Sequence, residues 1–171
     1  MSRKVDEQAL ARIRLIAFDV DGVFTDGRFY LSNDGTETKA FNTQDGYGIR
    51  RLLGSGIEVA VISGRKSDAV SLRMRELGIR HVILGCTNKV EAFHELLSQL
   101  ELNADQTAFV GDDIPDLPLL QTVGFSFAVA NAVQEVRDSC NYTTIAFGGS
   151  GAVREVCDLI CLERSRLEGS R

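Results

Sequence analysis

The chain has 171 residues, 44% of them hydrophobic and 25% charged, with a formal net charge of -5. That length makes one domain the default, here residues 1–171, and is enough for a sizeable core. The acidic balance excludes the basic surface of a nucleic-acid binder, and no apolar run is long enough to span a bilayer. An anionic small substrate stays open, because the local field of a cleft outranks net charge. Residues 1–12 are mixed polar and lack the apolar middle of a signal peptide, so a cytoplasmic location is expected. The cysteines (Cys86, Cys140, Cys157 and Cys161) read as buried thiols. Cys157 and Cys161 share an apolar helical face with Val153, Val156 and Ile160.

In chain order, strand patterns fall at 13–18, 58–62, 81–84, 107–110 and 125–128, with a weaker one at 142–144. Most are continuously apolar, as in a sheet covered on both faces. Helical patterns lie between and after them, over roughly 46–53, 67–77, 89–100, 114–121, 132–138 and 151–164. The alternation predicts an α/β fold with a doubly wound, Rossmann-like parallel sheet. One segment departs from it. Residues 28–31 and 36–41 flank Ser32-Asn33-Asp34-Gly35, which reads as a β-hairpin inserted over about 27–41, directly after the first strand. Residues 164–171 form a polar tail.

In such a sheet, ligands bind beyond the carboxyl ends of the strands. Asp19 and Asp21 follow the first strand, Ser63-Gly64-Arg65 the second, Lys89 the third, and Asp112 and Asp113 the fourth. All are therefore expected at one rim. A lone Asp-x-Asp is ordinarily a turn, and Ser63 or Lys89 alone would be unremarkable; the joint order is what carries meaning. Carboxylates gathered this way call for a cation, and hard oxygen ligands suit Mg²⁺. Asp19 is the candidate nucleophile for phosphorus, and Asp21 the candidate general acid and base. Asp19, Asp112 and the carbonyl of Asp21 are the candidate metal ligands. Asp113 and Asp116 would hold metal-bound water or orient Lys89. Ser63, Lys89 and the N–H groups of Val20, Asp21 and Gly64 are candidates for the phosphate oxygens.

These residues resemble the four motifs of the haloacid-dehalogenase superfamily. A narrower resemblance, from about residue 13 to 162, is to the 3-deoxy-D-manno-octulosonate 8-phosphate phosphatases of lipopolysaccharide synthesis. It lies in Lys39-Ala40-Phe41-Asn42, in Asp45-Gly46-Tyr47-Gly48-Ile49, and in Gly149 with Gly151 to Asp158. The resemblance implies a capless phosphatase of a small anionic sugar phosphate, assembled as a homotetramer in which a neighbour helps close each site. By position, Asn42, Asp45, Gly46, Arg50, Arg65, Arg73 and Lys89 would contact substrate. The chain departs from the family at Gln44 and Ser150, which bears on substrate preference.

Spacing alone lets Arg65 and Arg73 share a helix face near the cleft or stand as two solvated arginines. The hairpin, with Phe29, Leu31 and Phe41, needs cover. Self-association would supply it; folding back onto its own domain is the alternative. Three rival functions follow: a phosphatase of a nine-carbon ulosonate 9-phosphate, a sugar phosphomutase, and a non-enzymatic binding protein. The phosphomutase lacks a cap to exclude water, and the binding protein would not need a full carboxylate set.

Overall fold

The structure, a computed structural model, describes residues 6–169 apart from the side chains of 167 and 168. The chain opens with α1 (Glu7–Ala11) and β1 (Leu15–Phe18), followed by the hairpin strands β2 (Tyr30–Leu31) and β3 (Glu37–Thr38). Next come α2 (Thr43–Gly54), β4 (Glu58–Ser63), α3 (Asp68–Leu77), β5 (His81–Leu84) and α4 (Lys89–Leu100). The last part holds β6 (Thr107–Gly111), α5 (Leu117–Leu120), β7 (Phe125–Ala128), α6 (Gln134–Ser139), β8 (Tyr142–Thr143) and α7 (Ala152–Glu168).

Six strands form one parallel sheet in the order β5-β4-β1-β6-β7-β8, and β2 pairs antiparallel with β3 outside it. The chain lays β4 and β5 on one side of β1, then crosses back to lay β6 on the other. Order therefore reverses at β1, which opens a crevice at the carboxyl ends of β1, β4 and β6. Right-handed crossovers running in opposite directions put their helices on opposite faces. Accordingly α2 packs on α7 and α3, and α1 on α7, while α4 packs on α5 and α5 on α6. Every residue of β1, β6 and β7 is buried, as continuous apolar runs require.

Three of the helices around the site start where a side chain can satisfy a free N–H. Asn42, Ser67 and Asn88 cap α2, α3 and α4, accepting from Gln44, Val70 and Glu91. The α2–α7 contact is close because Gly48 has no side chain; a Cβ there would lie 3.1 Å from Cys157 Cβ. All four cysteines are free; Cys140, Cys157 and Cys161 are buried as expected, whereas Cys86, expected to be buried, is only half-buried.

Three features differ from the sequence-based expectation. The short α1 sits in a stretch read only as polar; Asp6 caps it and Leu10 is its one buried residue. The single helix expected at 114–121 is a 3-10 turn (Ile114–Asp116) followed by α5. Pro118 explains the break, since it has no N–H to return to Ile114 and its ring crowds that carbonyl. The last helix runs past 164 to Glu168, while residues 170 and 171 of the expected tail lie outside the described residues.

Candidate active site

Asp19 stands one residue beyond β1, and its N–H donates to Val110 O of β6 at 3.0 Å. Lys89, the first residue of α4, donates to Asp19 Oδ1 and Asp116 Oδ1, both at 2.6 Å. The other oxygen of Asp116 accepts the N–H groups of Asp112 (3.0 Å) and Asp113 (3.3 Å), which fixes the loop after β6. Asp19, Asp112 and Asp116 bring carboxylate oxygens within 4.8 Å of one another. Asp113 is exposed and caps its own turn through Ile114 N–H.

Charge is unbalanced here. Burial raises the Asp112 carboxyl to about 8, and the charges of Asp19, Asp116 and Asp113 push the same way. Burial raises Asp19 to about 6, against the pull of Lys89. For Lys89, burial acts to lower the value, but the two facing carboxylates outweigh it and the net shift is upward. One ammonium thus serves three acidic groups. A divalent cation fits this deficit, and hard carboxylate oxygens are what Mg²⁺ takes. Both oxygens of Asp116 are already engaged, so Asp19 and Asp112 are the side chains free to hold it.

Asp21 lies in a second, balanced cluster. Its Oδ1 pairs with Lys39 Nζ, and its Oδ2 lies 3.8 Å from Arg65 Nε. Arg65 Nη2 donates to Glu37 Oε2 at 2.5 Å, and Lys39 Nζ lies 3.8 Å from Glu37 Oε1. Ser67 Oγ donates to Glu37 Oε1 at 2.7 Å, and the Phe29 ring covers the Arg65 guanidinium at 4.1 Å. Two acids and two bases close a ring between the loop after β1, the hairpin and the loop after β4. Hydrogen bonds to Ser67 and Arg65, with the nearby cations, lower the Glu37 carboxyl.

Sequence reasoning missed Glu37 and Lys39 as site residues. A signal was present: Glu37, Lys39 and Phe41 alternate, and in the structure they turn inward while residues 36, 38 and 40 are exposed. Phe41, expected among the apolar residues needing cover, packs against the core. The hairpin is therefore docked at its base on its own chain, while Tyr30 and Leu31 stay 67% exposed at its tip.

The loop after β1 is held tightly. Gly22 has φ +94°, and a Cβ there would fall 1.9 Å from Asp112 Oδ2. Thr25 Oγ1 accepts from Gly22 and Gly27 N–H, so it organises the loop. Asp26 caps a turn through Arg28 N–H, as expected of a turn residue. From the far side, a Cβ on Gly148 would fall 1.7 Å from Gly22 O, so backbone presses on backbone. That second loop is gripped by Glu155 of α7, which accepts from Tyr142 OH and from Ile145 and Ala146 N–H.

The remaining expected site residues divide. Ser63 is buried at the end of β4, its Oγ accepting from Arg65 N–H at 3.3 Å, with Gly64 between them. Gly46, Arg50 and Arg73 meet between α2 and α3. Arg73 and Arg50 both donate to Glu76, and a Cβ on Gly46 would lie 2.6 Å from the Arg73 guanidinium. Arg65 and Arg73 have different partners here: the first pairs with Glu37, the second with Glu76. The Asn42 side chain caps α2. Asp45, expected at substrate, is 1% exposed and accepts Arg154 N–H at the start of α7, while its Oδ2 has no partner. His81 pairs with Glu58 at 3.1 Å.

Residues 85–147 match the family model described as haloacid dehalogenase-like hydrolase. Over 163 residues the chain is 48% identical to a 3-deoxy-D-manno-octulosonate 8-phosphate phosphatase of Yersinia pestis, covering 95% of this chain and 87% of that one. The chain belongs to that phosphatase family. The crystal structure of the Yersinia phosphatase matches it with a TM-score of 0.92 at 48% identity, over 95% of this chain and 88% of that chain. A family member from Moraxella catarrhalis, solved in complex with magnesium ion, phosphate ion and KDO, matches with a TM-score of 0.91 at 41% identity, over 96% and 94%. The phosphatase fold thus spans the parallel sheet and nearly all of this chain.

Proposed function

We infer that the protein is a magnesium-dependent phosphatase that converts 3-deoxy-D-manno-octulosonate 8-phosphate to the free sugar acid and phosphate, in lipopolysaccharide biosynthesis. One observation carries the reading at the level of this chain. Asp19, Lys89, Asp112 and Asp116 converge at the crevice, with Asp21 beside them, on the fold of the 8-phosphate phosphatases.

The chain's residues take these roles in the reading. Asp19 attacks phosphorus as the bond to the sugar oxygen breaks, and Asp21 gives that oxygen its proton. Asp21 then takes a proton from water, whose oxygen displaces Asp19 from phosphorus. Lys89 holds Asp19 in line and, with Ser63 and Gly64 N–H, receives the phosphate oxygens. Asp19, Asp112 and the Asp21 carbonyl hold Mg²⁺, with Asp113 and Asp116 behind them. Bound magnesium supplies the positive charge that lets a carboxylate approach an anionic phosphate. Arg65, Arg73, Arg50, Asn42, Asp45 and Gly46 face or support the sugar acid. For Asp45 this means support through α7.

The reading includes one phosphatase domain over residues 1–171, a cytoplasmic location and a homotetramer. Exposed apolar residues at the hairpin tip, Tyr30 and Leu31, and at Phe147 support association between copies. Among the described residues, no helix is long and apolar enough to cross a membrane. The test is phosphate release from the eight-carbon and nine-carbon ulosonate phosphates, with magnesium and after chelation. Release from the eight-carbon ester, lost on chelation and restored by magnesium, is expected; turnover without divalent metal contradicts the site.

A further inference from the structure

We infer that Lys39 is a positioning residue for Asp21: from the hairpin, it fixes the carboxylate that serves the leaving oxygen. The inference rests on the phosphatase reading above and adds a residue to it.

The Lys39 side chain is 0% exposed, a state lysine almost never adopts unless paired. Its closest partner is Asp21, and Glu37 stands farther off at 3.8 Å. Hairpin docking does not rest on it alone, because Glu37 also ties β3 to Ser67 and Arg65. The two cations facing Asp21 also differ. The Arg65 side chain is 47% exposed and lies 3.8 Å from Asp21, so an arriving anion can draw it away. Lys39 is enclosed beneath Phe29, with its Nζ 5.8 Å from the ring centroid, and stays in place. A carboxylate anchored at one oxygen by a fixed ammonium keeps the other oriented, and orientation is what proton transfer to a leaving group needs.

That role predicts sensitivity to the leaving group. A sugar alkoxide must receive a proton as it departs, whereas 4-nitrophenolate leaves without one. For Lys39→Met, kcat/KM on the ulosonate 8-phosphate, which reports the step that expels the sugar oxygen, is expected to fall roughly tenfold to a hundredfold, part of the usual contribution of general acid catalysis. On 4-nitrophenyl phosphate kcat/KM should fall less than about threefold with the magnesium requirement little changed, while any slowing of the water step served by Asp21 enters kcat for both substrates alike. Lys39→Arg keeps the charge and is the second variant should Lys39→Met fold poorly. Its fork cannot reproduce a single-point contact, so a loss of roughly threefold to tenfold on the sugar phosphate alone is expected. Equal losses of kcat/KM on both substrates, or no loss on the sugar ester, would overturn the inference. The wild-type protein is the control. If it releases no phosphate from the sugar ester, the functional reading fails; if it does and the variants are unselective, only the role of Lys39 fails.

Discussion

Two charged clusters share the rim of the sheet and follow opposite rules. Around Lys89, three carboxylates face one ammonium, and burial raises Asp112 to about 8. Around Asp21, two carboxylates face two cations in a closed ring. The first cluster is completed only by charge from outside the chain; the second is complete in itself. A metal-dependent step belongs in the deficient cluster, and a residue that must keep its position while protons move belongs in the balanced one.

The comparison breaks most visibly at Asp19. Asp19→Asn removes the proposed nucleophile and one negative charge while keeping its shape. Activity should fall at least about a thousandfold, as for other lost nucleophiles. The Lys89–Asp116 pair remains to hold the fold, so circular dichroism and oligomer size should be unchanged. Turnover within a few-fold of wild type would remove Asp19 from the mechanism.

Gly22→Ala tests whether the deficient cluster depends on backbone placed by the loop beside it. The new methyl would meet Asp112 Oδ2 at 1.9 Å, and φ is +94°. The left-handed backbone costs about 1–2 kcal/mol. The larger consequence is a displaced Asp112, so magnesium affinity by titration should weaken roughly tenfold or more. Unchanged affinity would mean that Asp112 takes no part in holding the ion.

The strands could be read from the sequence because each is buried on both faces and must be apolar throughout. Asp19 and Asp112 were readable for the same reason, as acids placed just past such runs. Other features depend on contacts between distant segments. Lys39 becomes a site residue only once the hairpin folds back onto Asp21. Asp45 caps a helix that begins more than a hundred residues later. Local chemistry hid two more: α1 is too short to show a helical period, and Pro118 splits an apolar pattern that otherwise reads as one helix.

The two clusters should also differ in their response to pH. A carboxyl near 4 in the unfolded chain and near 8 when folded binds its proton more tightly in the folded state. Folded protein then holds more protons between those values, and stability falls as pH rises through that window. Metal-free protein should therefore show a melting temperature that declines from about pH 4 to 8. Magnesium should stabilise more as pH rises, because it replaces the proton. Asp112→Asn should flatten the upper part of the decline; an unaltered slope would place the strain elsewhere.

Asp45 sets a limit to the comparison, since it is a buried carboxylate in neither cluster. Oδ1 takes Arg154 N–H, Oδ2 has no hydrogen-bond partner, and the charge of Arg154 does not offset burial. Burial raises its carboxyl, so at neutral pH its charge works against folding. Asp45→Asn keeps the acceptor for Arg154 and removes the charge. Stability should change by less than about 1 kcal/mol, with any gain growing as pH rises, whereas Asp45→Ala strands the helix N–H and costs about 1–3 kcal/mol. Kinetics then separate support from contact. A residue that only caps α7 leaves KM for the sugar phosphate within about threefold when changed to Asn. A large rise in KM, with the melting temperature held, would instead show that the Asp45 carboxylate meets substrate and that α7 reorients when it binds.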